Sequence, residues 1–180
     1  TAHANMGSWL SNFSTFIPTQ SGSRTLTTVY AIPTASLRVL GIMTNTPAVD
    51  AYRGAGRPEA NYVMERLMDM LADKMGIDRV EIRRRNMITS DLMPFSMVCG
   101  GTIDDGEIPE LMDAALAHAD HDGFEARKAD SESRGMLRGF GVGMYLELCG
   151  GGGDGGVKVS FRDDGTILVL AAQQENGQGH

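Results

Sequence analysis

Two arginines frame a glycine turn at Arg53-Gly54-Ala55-Gly56-Arg57, directly ahead of Pro58 and a run with helical spacing. A helix start leaves its first amide N–H groups without intrahelical acceptors, and the helix dipole makes that end positive. Gly54 and Gly56 let the backbone approach a ligand closely. The Arg53 and Arg57 guanidinium groups supply planar donors suited to oxyanions. The segment therefore predicts a site for an anion or an anionic cofactor. It is not a standard nucleotide loop. Glu59 stands where a GxGxxG pattern needs its third glycine, no buried strand leads into it, and no GK[ST] follows. A loop that uses its glycines only to turn remains the alternative.

Weaker candidates lie elsewhere. Asn176-Gly177-Gln178-Gly179-His180 alternates glycines after an expected strand, exposing backbone amides beside a side-chain amide that both donates and accepts. That arrangement suits the edge of a heterocycle or a phosphate, and equally a structural turn. Gly150 to Gly156, interrupted only by Asp154, reads as a flexible hairpin or linker. His118, Asp120, His121 and Asp122 carry metal-ligand chemistry, but they sit at the end of an expected helix, where polar residues cap and solvate; zinc needs three or four convergent ligands. Cys99 and Cys149 have no CxxC partner and read as free thiols, which fits a reducing cytoplasm. No Ser-His-Asp or Cys-His arrangement follows from spacing, since triads are spatial.

The elements that must position these groups are mixed. Arg24 to Ile32 and Ala35 to Asn45 are rich in Val, Thr, Ile and Leu and read as strands broken at Pro33. Pro58 to Met75 reads as a helix ended by Gly76, with Ala60, Val63, Met64, Leu67, Leu71 and Met75 at core spacing. Asp78 is placed to cap a second helix over Val80 to Asn86, whose Arg83-Arg84-Arg85 run reads as a solvated helix end. Ile108, Leu111, Met112, Ala115, Leu116 and Ala119 mark an amphipathic helix, and Phe124 to Ser133 another. Leu137 to Leu148 reads as a glycine-laced strand. Val157 to Phe161 and Ile167 to Val169 alternate around Asp164-Gly165, a hairpin signal. Helices and strands do not interleave regularly, so the expected class is α+β.

Composition bounds the function. The net charge of −7 argues against a nucleic-acid or anionic-membrane binder. Charge is uneven: residues 1–88 carry ten basic and seven acidic side chains, residues 89–180 six and sixteen. Together with the Pro- and Gly-containing stretch from Ser90 to Gly106, this places a boundary near residue 90, giving pieces 1–89 and 90–180. No apolar run reaches the roughly 18 residues of a spanning helix. Glycine (23 of 180) is nearly twice its usual share of about 7%, and the twelve methionines fall mostly near helix core positions such as Met64, Met75 and Met112. The chain opens on Thr1 and stops inside a glycine loop at His180, which reads as an internal fragment.

Several blocks carry a resemblance. Thr44-Asn45-Thr46-Pro47, Ala51-Tyr52-Arg53-Gly54-Ala55-Gly56-Arg57-Pro58-Glu59-Ala60, Glu65-Arg66-Leu67 and Arg83-Arg84-Arg85-Asn86-Met87-Ile88, in that order and spacing, resemble the molybdenum-binding large subunit of the xanthine dehydrogenase/aldehyde oxidase family. The look is nearest to the carbon-monoxide dehydrogenase large-chain group, and Gly177-Gln178-Gly179-His180 sits where that family has its second cofactor loop. The resemblance implies the end of one molybdopterin-binding domain joined to the start of a second. It implies molybdenum held by a pyranopterin, as the cytosine dinucleotide, and hydroxylation of a substrate carbon with oxygen from water. Electrons would leave through [2Fe–2S] clusters to FAD on a small iron–sulfur and a medium FAD-binding subunit, in a dimer of heterotrimers. By position, the resemblance places Arg53 beside the molybdenum, Gly54, Ala55 and Gly56 in the adjoining loop, Ala55 facing the substrate channel, and Gly177, Gln178 and Gly179 on the pterin or its pyrophosphate.

One departure bears on the substrate. Copper–molybdenum carbon-monoxide dehydrogenases look like Ala-Tyr-Arg-Cys-Ser-Phe-Arg here, whereas this chain has Gly54 at the cysteine position and offers copper no thiolate. That points to an aldehyde or an N-heteroaromatic substrate, with CO oxidation as the alternative reading. The small Ala55, in place of an aromatic, implies a channel not restricted to flat purines. The family's upstream Gly-Gly-x-Phe-Gly loop and its downstream catalytic glutamate have no counterpart in these residues, so no catalytic residue is assigned and turnover by these residues alone is not expected. A non-catalytic anion- or nucleotide-binding module built on the Arg53–Arg57 loop is the further alternative.

Overall fold

Helix α2 (Arg57–Met75) starts on Pro58, whose missing N–H costs nothing in a first turn, and stops at Gly76. Its inward face is Ala60, Asn61, Met64, Met68 and Ala72, at helical spacing. A short turn leads to α3 (Arg79–Asn86). Here Asp78 is the N-cap, its carboxylate accepting from the amides of Val80 (2.8 Å) and Glu81 (3.0 Å), a cap worth about 1 kcal/mol. Residues 1–148 and 156–172 are described by a computed structural model, which divides into two compact units, Thr1–Glu147 and Leu148–His180.

In the first unit, β1 (Ala2–Gly7) pairs in parallel with β2 (Val39–Met43). Between them a π-helical turn, Ile17–Ser21, runs into a short helix α1 (Gly22–Arg24). After α3 come the antiparallel pair β3 (Phe95–Met97) and β4 (Gly101–Ile103), then α4 (Ile108–His118) and α5 (Phe124–Ser133). The core gathers Val29, Tyr30, Met64, Met68, Ala72, Val80, Ile82, Met87, Met112 and Met144, and is rich in unbranched, adaptable methionine. Met64 and Met112 are core as expected. Met75 is not: it lies exposed at the last turn of α2.

The second unit is described over its hairpin. Strands β5 (Val157–Phe161) and β6 (Ile167–Ala171) pair antiparallel with Phe161 opposite Ile167 and Val159 opposite Val169. Asp164 closes the turn by accepting from the Thr166 amide and hydroxyl, and these bonds hold its carboxyl below the usual range. The mixed helix and strand content is the α+β class expected.

Two expected strands are absent. Arg24 to Ile32 forms successive turns, with only an isolated bridge from Tyr30 to Met87. Local bonding wins there: Thr25, Leu26 and Thr28 amides each donate three residues back, and the Thr25 hydroxyl donates to Ser21 O. Leu137 to Leu148 joins no ladder and forms no helix. Its alternation survives, because Phe140, Val142, Met144 and Leu146 pack on the core while the odd positions turn away. Asn61 of α2 replaces a neighbouring strand. Its amide accepts from Leu146 N–H (3.0 Å) and donates to Leu146 C=O (3.2 Å).

A glycine turn at the start of α2 as the candidate cofactor site

Gly54, Ala55 and Gly56 all lie in the left-handed region, with φ of 97°, 40° and 93°. For Ala55 this is a strained conformation, retained where surrounding structure enforces it. Within the turn, the Ala55 amide donates to Tyr52 O (2.7 Å) and the Arg57 amide to Gly54 O (3.0 Å). Among the described residues the amides of Gly54 and Gly56 find no protein acceptor. Gly56 is buried, and a buried amide left without an acceptor is costly, so it fits a site whose acceptor comes from a bound group.

The turn is wedged into place. A Cβ on Gly56 would stand 2.4 Å from Ile17 O and 2.9 Å from the Gly22 amide nitrogen, so only glycine admits the π-helical turn this closely. At Gly54 a Cβ would meet Pro58 at 2.7 Å and the Tyr145 hydroxyl at 3.2 Å. The space of a side chain at 54 is thus already taken, and a thiol there would need both neighbours to move.

The two arginines differ in role. Arg57 is half-buried; its Nη1 donates to Ser21 Oγ (3.0 Å) and its guanidinium is ion-paired with Glu147. The Glu147 carboxylate also accepts from the Tyr145 hydroxyl (2.9 Å). Burial, then this hydrogen bond, holds the Tyr145 phenol above its usual range. Arg53 is exposed, and among the described residues its side chain has no carboxylate partner. Of the two expected oxyanion donors, Arg57 is thus already paired within the protein.

Beneath the turn, α2 is anchored by an ionic group that sequence reading missed. Arg83 is fully buried, not solvated as its place in an arginine run implied. It donates to Glu65 Oε2 (2.8 Å), Glu65 O (3.2 Å), Asp69 Oδ1 (2.9 Å) and Arg79 O (2.9 Å). Tyr30 donates to the other Glu65 oxygen (2.7 Å), and burial together with that carboxylate pushes its phenol well up. Burial alone would lower the Arg83 pKa, but the bonds to Glu65 and Asp69 outweigh it and raise it. Arg84 and Arg85 are the exposed pair of the run, bridged to Asp113 and Glu81.

The remaining candidates separate from this site. Asp120 pairs with Arg127, and His121 packs against Phe140 at 4.7 Å, so the His118–Asp122 group does not converge. Among the described residues no cluster of three His, Cys, Asp or Glu side chains could hold a metal ion. Gly177, Gln178 and Gly179 lie outside the described residues, as do Cys149 and most of the Gly150–Gly156 run. No helix among the described residues is long and apolar enough to cross a membrane.

Among the described residues, then, this α+β chain sets two glycine amides without a protein acceptor, and a guanidinium without a carboxylate partner, at the start of a long helix. Comparison with known proteins shows its family. The molybdopterin cofactor-binding domain family matches this chain twice, over residues 1–87 and 114–180. The chain is 30% identical over 168 residues to the nicotine 6-hydroxylase large subunit of Paenarthrobacter nicotinovorans, covering 87% of this chain and 20% of that one. It is 31% identical over 168 residues to the carbon monoxide dehydrogenase large chain of Hydrogenophaga pseudoflava, covering 84% and 21%. Among solved structures it superposes on quinoline 2-oxidoreductase from Pseudomonas putida 86 with a TM-score of 0.78 at 22% identity, covering 99% of this chain and 24% of that one, which speaks to the fold. The chain belongs to the molybdopterin-binding family whose members include the large subunits of xanthine and carbon monoxide dehydrogenases. It spans about a fifth of the length of these curated relatives.

Proposed function

We propose that this chain is part of the large subunit of a molybdenum hydroxylase, and that the Arg53–Gly56 turn holds one side of its molybdopterin. The observation that carries the proposal is the pair of amides at Gly54 and Gly56 that find no protein acceptor among the described residues, next in sequence to the exposed Arg53, which has no carboxylate partner among them. When bound, the group supplies a molybdenum redox centre at which a substrate carbon is hydroxylated with oxygen from water. The chain's own part is positioning. The Gly54 and Gly56 amides would donate to oxygen or sulfur acceptors of the cofactor, and Arg53 would stand beside the metal. Ala55, small and held at positive φ between them, faces the substrate channel. Gly177, Gln178 and Gly179 take the pterin or its pyrophosphate. No residue of this chain acts as base.

The cofactor form we favour is the cytosine dinucleotide. Electrons pass to [2Fe–2S] and FAD on a small and a medium subunit, in a dimer of such three-subunit units in the cytoplasm. Pieces 1–89 and 90–180 close one cofactor-binding domain and open the next. The substrate class is an aldehyde or an N-heteroaromatic, a choice supported by relatives named for nicotine and nicotinate hydroxylation. CO oxidation is the second reading, favoured by the relative named carbon monoxide dehydrogenase. Against it stands Gly54, which has no thiolate for copper and whose side-chain space is filled by Pro58 and Tyr145. The test is the full-length gene product, purified with its partners. Molybdenum by elemental analysis and dye-linked oxidation of aldehydes and N-heterocycles are expected; active enzyme without molybdenum, or copper-dependent CO oxidation alone, overturns the reading.

A further inference from the structure

We infer that Glu147 and Tyr145 are positioning residues for the cofactor turn, a role that rests on the molybdopterin reading above. They stand far along the chain from Arg53, on the segment that Asn61 fastens to α2 through both backbone groups of Leu146. Alternation along that segment decides where they point. With Met144 and Leu146 turned to the core, Tyr145 and Glu147 face the opposite way, toward the turn.

Their contacts divide two tasks. One Glu147 oxygen pairs with the Arg57 guanidinium, and the other accepts from Tyr145 Oη at 2.9 Å. The pair sets Arg57 against Ser21 and Glu147, so its charge has a carboxylate partner within the protein although its buried Nε makes no hydrogen bond, whereas Arg53 has no carboxylate partner among the described residues. The Tyr145 hydroxyl, 3.2 Å from where a Gly54 Cβ would be, packs against the turn at Gly54, as Ile17 and Gly22 do at Gly56. The turn is thus held at two places: the π-helical turn against Gly56, and the Tyr145–Glu147 segment against Gly54 and Arg57. Amides fixed before a ligand arrives need no reordering when it binds, so this clasp slows cofactor loss.

The test uses the full-length protein with its partners, as wild type, Glu147→Gln and Tyr145→Phe. Two readouts are taken: molybdenum and pterin remaining after timed gel filtration, and amide exchange over residues 52–57 and over α3. The clasp predicts cofactor loss about tenfold faster in Glu147→Gln, the usual effect of removing a supporting contact behind a metal site. Tyr145→Phe should lose it roughly fivefold faster, the worth of one hydrogen bond. Exchange should rise over 52–57 and stay unchanged over α3. Retention equal to wild type in both variants, or exchange rising equally in α3, overturns the proposal, the latter because it marks general destabilisation. If Glu147→Gln does not fold, Tyr145→Phe decides alone, since it keeps the ring and the Arg57 pair. A wild type that carries no molybdopterin overturns the functional reading instead, and is told apart because the loss precedes any substitution.

Discussion

Replacing Arg83 with methionine should loosen α2, the helix that carries the cofactor turn. The substitution keeps the apolar stem and deletes a fully buried guanidinium. Four bonds disappear: Glu65, 14% exposed, loses its cation and keeps only the Tyr30 hydroxyl, while Asp69, 16% exposed, still has Arg66 and Arg79 on its other oxygen. Removing one partner of a buried ion pair costs about 3–5 kcal/mol, because the remaining charge stays desolvated. At about 1.4 kcal/mol per power of ten, that is a rise in local opening of roughly two to three and a half powers of ten. The assay is amide exchange of α2 in the full-length protein, which reads local stability without requiring two-state unfolding of a large subunit. A second substitution, Glu65→Gln, in the Arg83→Met background removes the stranded charge and should recover part of the loss. Unchanged α2 exchange in Arg83→Met, or a Glu65→Gln addition that only worsens it, refutes the reasoning.

Other outcomes follow from the same contacts. Asp78→Ala should cost about 1 kcal/mol by removing the cap on the Val80 and Glu81 amides, read as faster exchange at the start of α3. Gly56→Ala combines φ of 93° with a Cβ 2.4 Å from Ile17 O, so it should lower both soluble yield and molybdenum content. Tyr30 is raised in the folded state chiefly by burial, so its contribution is fully present below the ordinary phenol value near 10 and is lost as pH rises beyond it. A thermal midpoint that falls above about pH 10 in wild type should fall less steeply in Tyr30→Phe. Arg53→Lys should retain more cofactor than Arg53→Ala but less than wild type, measured as molybdenum per protein, because a point charge lacks the planar fork.

Local chemistry was readable and long-range chemistry was not. The α2 start at Pro58, the Asp78 cap, the α4 and α5 spans and the Asp164-Gly165 turn each depend on neighbours within a few residues, and each stands as expected. The glycine turn was visible for the same reason. Arg83 was misjudged because its environment is set by Glu65 and Asp69 on another helix, and an arginine run gives no sign of which member is buried. Leu137–Leu148 carried a true alternation, but a ladder needs a partner, and the partner is a single side chain, Asn61, lying 85 positions from Leu146. Threonines at 25, 27 and 28 raise β propensity, but the Thr25 hydroxyl bonds Ser21 O and the backbone amides of Thr25, Leu26, Thr28 and Tyr30 donate three residues back, so the turns win. The Arg57–Glu147 pair had one sequence hint, the acidic Glu147 in a glycine-laced stretch whose only other charged residue is Arg138.

The central claim is that the Gly54 and Gly56 amides serve a bound molybdopterin. Residue-resolved exchange at these two amides, in full-length protein with and without its cofactor, tests it most directly. Each should exchange at least about fivefold more slowly in the loaded protein, the protection of one added hydrogen bond or more. Equal exchange in the loaded and cofactor-free protein would contradict the account.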